Sequence, residues 1–125
     1  MVRIKRVYES ENRKDGYRVL VDRLWPRGIK KENLAFDEWI KDLAPSTALR
    51  KKFGHDPEHW KSFVADYKKE LRSPLCRELL ERLAGRAAKG TLTLLYGARD
   101  EEHNQAVVLK DVISKWNIKK PSSEH

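Results

Sequence analysis

Apolar and polar positions change rhythm several times along the chain, and each change predicts an element. Val2 and Ile4 alternate with Arg3 and Lys5 on the way to Tyr8, the period-two pattern of a strand with one wet face. Glu9 to Gly16 is polar and closes on the turn pair Asp15-Gly16. Within Tyr17 to Leu24, Val19-Leu20-Val21 is continuously apolar, which suits a strand covered on both sides. Trp25-Pro26-Arg27-Gly28 ends it, because proline has no N–H to offer a ladder. The period then lengthens. Phe36, Trp39, Ile40 and Leu43 stand at helical spacing before Pro45, and Ser46 is placed to cap a short helix closing at Gly54. Asp56-Pro57 and Ser73-Pro74 are start signals, a capping oxygen followed by proline at the first helical position. The stripe Trp60, Phe63, Val64, Tyr67 and Leu71 follows the first. Cys76, Leu79, Leu80, Leu83 and Ala87 follow the second, up to Gly90. Thr91 to Tyr96 reads as a last strand, and about His103 to Trp116 as a last helix.

The order strand, strand, helices, strand, helix predicts an α/β fold: a small three-stranded, mainly parallel sheet flanked by helices in a single compact domain. That domain spans residues 1–118, with 119–125 as a flexible tail. The helical passage before the last strand has the length of a crossover, so the second and third predicted strands run parallel. The first connection is too short for a helix and fits either a hairpin or a tight crossover. A chain of 125 residues suffices for one core.

Composition narrows the chemistry. The single cysteine, Cys76, excludes an internal disulfide and a cysteine-based zinc site. Its apolar helical neighbours predict an inert core thiol. Apolar runs are too short for a membrane span, and the N-terminal residues lack a leader pattern, so a cytoplasmic location is expected. Lys and Arg number 27 against 19 Asp and Glu, a net charge of +8 that favours an anionic partner. Nucleic acid ranks below an anionic small molecule or nucleotide, because the charge has no dense stretch and no nucleic-acid motif is present. Phosphate-loop, dinucleotide, zinc-protease and nucleophile-elbow motifs are absent. The four histidines lack a ligand-like spacing within one helix, and neither metal nor cofactor is expected. Oligomeric state is not encoded in these patterns.

In open α/β sheets ligands bind beyond the carboxyl ends of strands, and two strand ends carry chemistry here. Asp22, Arg23, Trp25 and Arg27 follow the second strand; Tyr96, Gly97, Ala98, Arg99 and Asp100 follow the last, with His103 and Asn104 near a helix start. The arginines offer planar, bidentate donors to phosphate or carboxylate. Gly97 lets backbone approach a ligand, and the helix start offers free N–H groups. The ligand-binding candidates are therefore Arg23, Trp25, Arg27, Tyr96, Gly97, Arg99 and Asn104. The acid/base candidates are His103, Asp22 and Asp100. Asp22, flanked by two arginines, is expected to stay ionised if they turn toward it. His103 is then the better proton carrier, since imidazole exchanges protons near neutral pH. Bland readings stand beside these: an ion-pair and turn network for Asp22 to Arg27, a core or lid role for Trp25, a local bond for His103, and a structural turn for His55.

Lys5-Arg6-Val7-Tyr8-Glu9, the block Asp15 to Gly28 with Val21-Asp22-Arg23-Leu24-Trp25-Pro26-Arg27-Gly28, Ala44-Pro45-Ser46, His55-Asp56-Pro57, Leu94-Leu95-Tyr96 and His103-Asn104 together resemble the YeaO-like family of bacterial proteins. The likeness spans Val2 to about Trp116. It implies a compact, cytoplasmic α/β domain and carries no reaction with it. A broader set of related domains places cysteine and glutamate after the last strand's leucines, and Cys-His-Arg at the following helix. This chain has Tyr96, Ala98 and Asn104-Gln105-Ala106 there, so the thiol nucleophile and acid/base carboxylate have no counterpart. A non-catalytic module binding a phosphate-bearing or other anionic small molecule ranks first. A hydrolase or transferase acting on a nucleotide-like substrate ranks second, and generic nucleic-acid binding third.

Overall fold

Among the described residues four strands, rather than three, form the sheet: β1 (Val2–Arg6), β2 (Tyr17–Leu20), β3 (Glu38–Trp39) and β4 (Leu92–Tyr96). Their order is β1-β4-β2-β3, and every pairing is parallel. The computed structural model describes residues 1–116, so the expected tail at 119–125 and the domain end at 118 lie outside the described residues. The extra strand comes from the segment whose spacing suggested a helix. The Asp37 and Ile40 amides donate to the Arg18 and Leu20 carbonyls at 2.8 and 3.0 Å, which draws Glu38 and Trp39 onto the open edge of β2. Lys41–Leu43 then tightens into a 3₁₀ turn.

The first connection is a tight crossover, since β4 lies between β1 and β2 and excludes a hairpin. It works through a 3₁₀ turn at Arg13–Asp15, closed by reciprocal bonds between Asn12 and Asp15. Gly16 leaves that turn at φ +64°, and a Cβ there would stand 2.3 Å from the Thr91 carbonyl oxygen. Only glycine satisfies both demands.

Helices α1 (Thr47–Phe53), α2 (Trp60–Glu70), α3 (Pro74–Lys89) and α4 (Gln105–Ser114) follow their local signals. Ser46 accepts from the Leu49 amide, Ser73 from Cys76, and Asp56 from Glu58 in a 3₁₀ turn that leads into α2. α4 starts at Gln105, because Asn104 is the residue whose side chain accepts the free amides of Ala106 and Val107.

Successive residues of β4 face opposite sides of the sheet, and all five are buried. Leu92, Leu94 and Tyr96 join Val19, Val21 and the helical residues Phe63, Tyr67, Leu80, Leu83 and Leu109 in the larger core. Leu20 and Leu95 join Val7 and Leu34 in a smaller one, packed by Trp25, Ile29, Phe36 and Trp39. Cys76 sits in the larger core, as its spacing predicts, with Sγ 3.4 Å from the Asp42 carbonyl. A buried polar network adjoins the smaller core. Asp15 pairs with Arg18 and Lys5, and the Thr93 hydroxyl donates to the Asp15 carbonyl at 2.6 Å. Burial acts to raise the Asp15 pKa, but the Asn12 amide, Lys5 and Arg18 outweigh it and hold the carboxyl below its ordinary range. Among the described residues no helix is long and apolar enough to cross a membrane.

Candidate functional site

The carboxyl ends of β1, β2 and β4 open into one cavity of about 710 Å³. Parallel pairing creates it, because all three chains leave the sheet at the same edge. Arg6 ends β1, Asp22 to Arg27 follow β2, Gly97 to Arg99 follow β4, and His103 to Gln105 lead into α4. α1 and the segments around it bring Ala44, Pro45, Arg50, Phe53 and His55 to the same wall.

Of the residues expected at a site, Asp22, Arg23, Trp25, Arg27, Gly97, Arg99, His103 and Asn104 all line this cavity. Tyr96 and Asp100 do not. Tyr96 is 1% exposed, because the alternation of β4 turns it into the larger core. Asp100 serves the loop before α4: its carboxylate accepts from the Glu102 and His103 amides at 2.9 and 3.0 Å, and meets His103 Nδ1 at 2.9 Å. The Glu102 amide, followed by the His103 side chain, keeps the Asp100 pKa low.

Several lining residues are also occupied structurally. Arg23 donates through Nε and Nη2 to the Pro45 and Ala44 carbonyls, each at 3.1 Å, and so ties the β2 exit to the entry of α1. Trp25 donates to the Ile29 carbonyl and packs edge-on against Trp39, with ring centres 5.4 Å apart. It is a lid over the smaller core rather than a free stacking platform. Asn104 spends its side chain on capping α4 and on the Asp100 carbonyl. Arg27 is exposed, with its carbonyl accepting from the Tyr8 hydroxyl at 2.7 Å.

The condition for a firmly ionised Asp22, that its flanking arginines turn toward it, is not met. Arg23 is turned onto backbone carbonyls, and neither it nor Arg27 pairs with Asp22. The carboxyl instead accepts from the Gly97 amide at 2.9 Å through Oδ2, and from the Gln105 side-chain amide through Oδ1. Burial raises its pKa to about 6, with those two bonds and the more distant Arg50 charge opposing the rise. A group titrating there can carry protons near neutral pH. Among the described residues it is also the one carboxylate on the cavity wall.

Arg6, Arg50 and Gln105 were not singled out by the pattern along the chain, and His55 was read there as a structural turn. The strand-end rule applied to β1 would have found Arg6, and the opening turn of the last helix would have found Gln105. Arg50 had no signal, since α1 reaches the cavity only by tertiary packing. His55 holds φ +57° directly after Gly54 at φ +56°, and this left-handed pair swings the chain from α1 toward α2. On the α1–α2 side the wall is aromatic, with Phe53 and Phe63 stacked at 4.5 Å.

Among the described residues the cavity therefore combines five arginines, two histidines and one carboxyl, and neither a cysteine nor a serine of them lines it. Among the described residues no cluster of three or more His, Cys, Asp or Glu is arranged to hold a metal ion. This is an α/β domain with a cationic cleft at the carboxyl edge of a parallel sheet. The chain belongs to the family described as the inactive DUF488-N3 subclade, whose model matches residues 1–124. It is 48% identical over 110 residues to the uncharacterized protein YeaO of Escherichia coli K12, covering 88% of this chain and 94% of that one. An uncharacterized protein of Mycobacterium tuberculosis H37Rv is 38% identical over 113 residues, covering 90% of this chain and 93% of the relative. No solved structure matches.

Proposed function

We propose that this chain is a non-catalytic, cytoplasmic binding domain for a phosphate-bearing or similarly anionic small molecule. The observation that carries the reading is the convergence of Arg6, Arg23, Arg27, Arg50 and Arg99 on one cavity of about 710 Å³. That volume suits a small ligand, and guanidinium groups around a concave site match the oxygens of phosphate. Arg23 is already pinned by backbone carbonyls and so presents its remaining N–H groups from a fixed position. Arg50 and Arg27 are exposed and supply the mobile part of the grip. The non-catalytic part rests on the missing nucleophile, on the engagement of His103 with Asp100, and on the family's description as inactive.

Calorimetric titration with pyrophosphate and AMP tests the reading. One ligand per chain is expected, with at least tenfold weaker binding in Arg50→Ala. Absence of binding by either probe would overturn it. The second reading, a hydrolase or transferase on a nucleotide-like substrate, is favoured by one observation: Asp22 titrates near pH 6 on the cavity wall. Turnover of a nucleotide or phosphate ester that disappears in Asp22→Asn would put that reading first.

A further inference from the structure

We infer that Asp22 and Gln105 are the selectivity element of this cavity, favouring an anion when the same molecule offers hydroxyl hydrogen-bond donors, as a phosphorylated sugar does, free or within a nucleotide. The inference rests on the anion-binding reading and names what that site selects. A pocket for bare phosphate gains nothing from a carboxyl group, which repels the ligand whenever it is ionised. Yet Asp22 is, among the described residues, the one acidic residue on a wall otherwise charged by arginine.

It is also held in place from three directions. The Gly97 amide and the Gln105 side-chain amide fix its two oxygens, and the Trp39 indole donates to its backbone carbonyl at 2.6 Å. Gly97 has no side chain where a Cβ would come within 2.9 Å of Asp22 Oδ2, so the close approach of the two strand ends depends on that glycine. Each carboxyl oxygen accepts one such bond and keeps capacity for another. Gln105, having given its N–H to Asp22, carries an acceptor oxygen at the other corner of its amide. Both residues line the cavity, so their acceptor atoms belong to its wall. Acceptors removed from water demand donors, and a ligand without them leaves polar groups unpaired. Vicinal sugar hydroxyls supply such donors, while the phosphate on the same molecule meets the arginines.

The test compares inorganic phosphate, methyl phosphate, ribose 5-phosphate and AMP by calorimetry in the wild type, Asp22→Asn and Gln105→Ala. Circular dichroism checks that each variant folds. Ribose 5-phosphate is expected to bind the wild type at least tenfold tighter than methyl phosphate, and this preference should fall below about threefold in both variants. Inorganic phosphate should tighten in Asp22→Asn, where the repelling charge is gone. AMP binding tighter than ribose 5-phosphate assigns the nucleotide form, and equal binding assigns the free sugar phosphate. Equal wild-type affinity for methyl phosphate and ribose 5-phosphate overturns the selectivity role while leaving anion binding intact, as does an unchanged preference in Gln105→Ala. Failure of all four probes overturns the underlying reading and the inference with it.

Discussion

Burial without an ion-pair partner sets the behaviour of Asp22, and its consequence for stability has a definite sign. The folded chain holds the carboxyl at a pKa of about 6, against about 3.9 for an aspartate in an unfolded chain. Between those values the folded state binds a proton that the unfolded state has released, so stability falls as pH rises through the window. The full effect amounts to about 3 kcal/mol at most. Urea unfolding of Asp22→Asn and wild type at pH 4 and pH 7 measures it. The variant should gain on the wild type at pH 7 relative to pH 4; a constant difference would show that Asp22 does not titrate in that range. His55 adds a second residue-scale feature. A non-glycine residue at positive φ on a cavity wall is held there by its surroundings, here by contact with the Phe53 ring, whose centre lies 6.0 Å away.

Among the elements, β1, β2 and β4 are joined on one face of the sheet by the Asp15 network, which adjoins the smaller apolar core. Lys5 reaches Asp15 from β1, Arg18 from β2, and Thr93 bonds its carbonyl from β4. Arg18 is 4% exposed, so loss of its partner leaves a buried guanidinium uncompensated. Asp15→Asn should therefore cost about 3–5 kcal/mol in chemical denaturation. Because the Asp15 pKa is lowered on folding, its contribution is present above about pH 3.9 and is lost as pH falls through the depressed folded value. Acid unfolding of the wild type should show that loss, and the variant should not. A cost below about 1 kcal/mol would mean that the network is satisfied by solvent instead. β3 illustrates a different point. Two residues are too few for a periodic signal, and Phe36, Trp39, Ile40 and Leu43 mimic a helix because a short strand and the 3₁₀ turn after it feed two cores.

Across the whole molecule, the net charge of +8 is spread rather than focused. Lys61, Lys68, Lys69, Arg77 and Arg86 lie exposed on α2 and α3, and Arg72 lies exposed in the turn between them. Several basic groups are already paired, Arg82 with Glu38 at 2.7 Å and Lys52 with Asp66 at 3.1 Å. A dispersed charge of this kind supports only weak, counterion-driven contact with nucleic acid. Fluorescence anisotropy with duplex DNA should show affinity falling steeply with salt and vanishing near physiological ionic strength. A small anion in the cavity should show a shallow salt slope and one site per chain. Tight DNA binding that survives physiological salt would put the nucleic-acid reading ahead of the small-molecule one.

The local parts of this architecture were legible in the sequence because their causes are local. A serine before a helix, a proline at its first position and a glycine at its end act through bonds within a few residues, and Ser46, Ser73, Gly54 and Gly90 stand where those rules put them. The strand-end rule brought Arg23, Arg27 and Gly97 into consideration, because parallel strands must leave the sheet on one side. Tertiary structure alone decided the rest. The position of β4 between β1 and β2 turned the first connection into a crossover, and the open edge of β2 recruited β3. The Ala44 and Pro45 carbonyls drew Arg23 away from Asp22, and burial then raised that carboxyl instead of its neighbours lowering it. Side-chain orientation and desolvation depend on groups distant along the chain, and no pattern of neighbouring residues contains them.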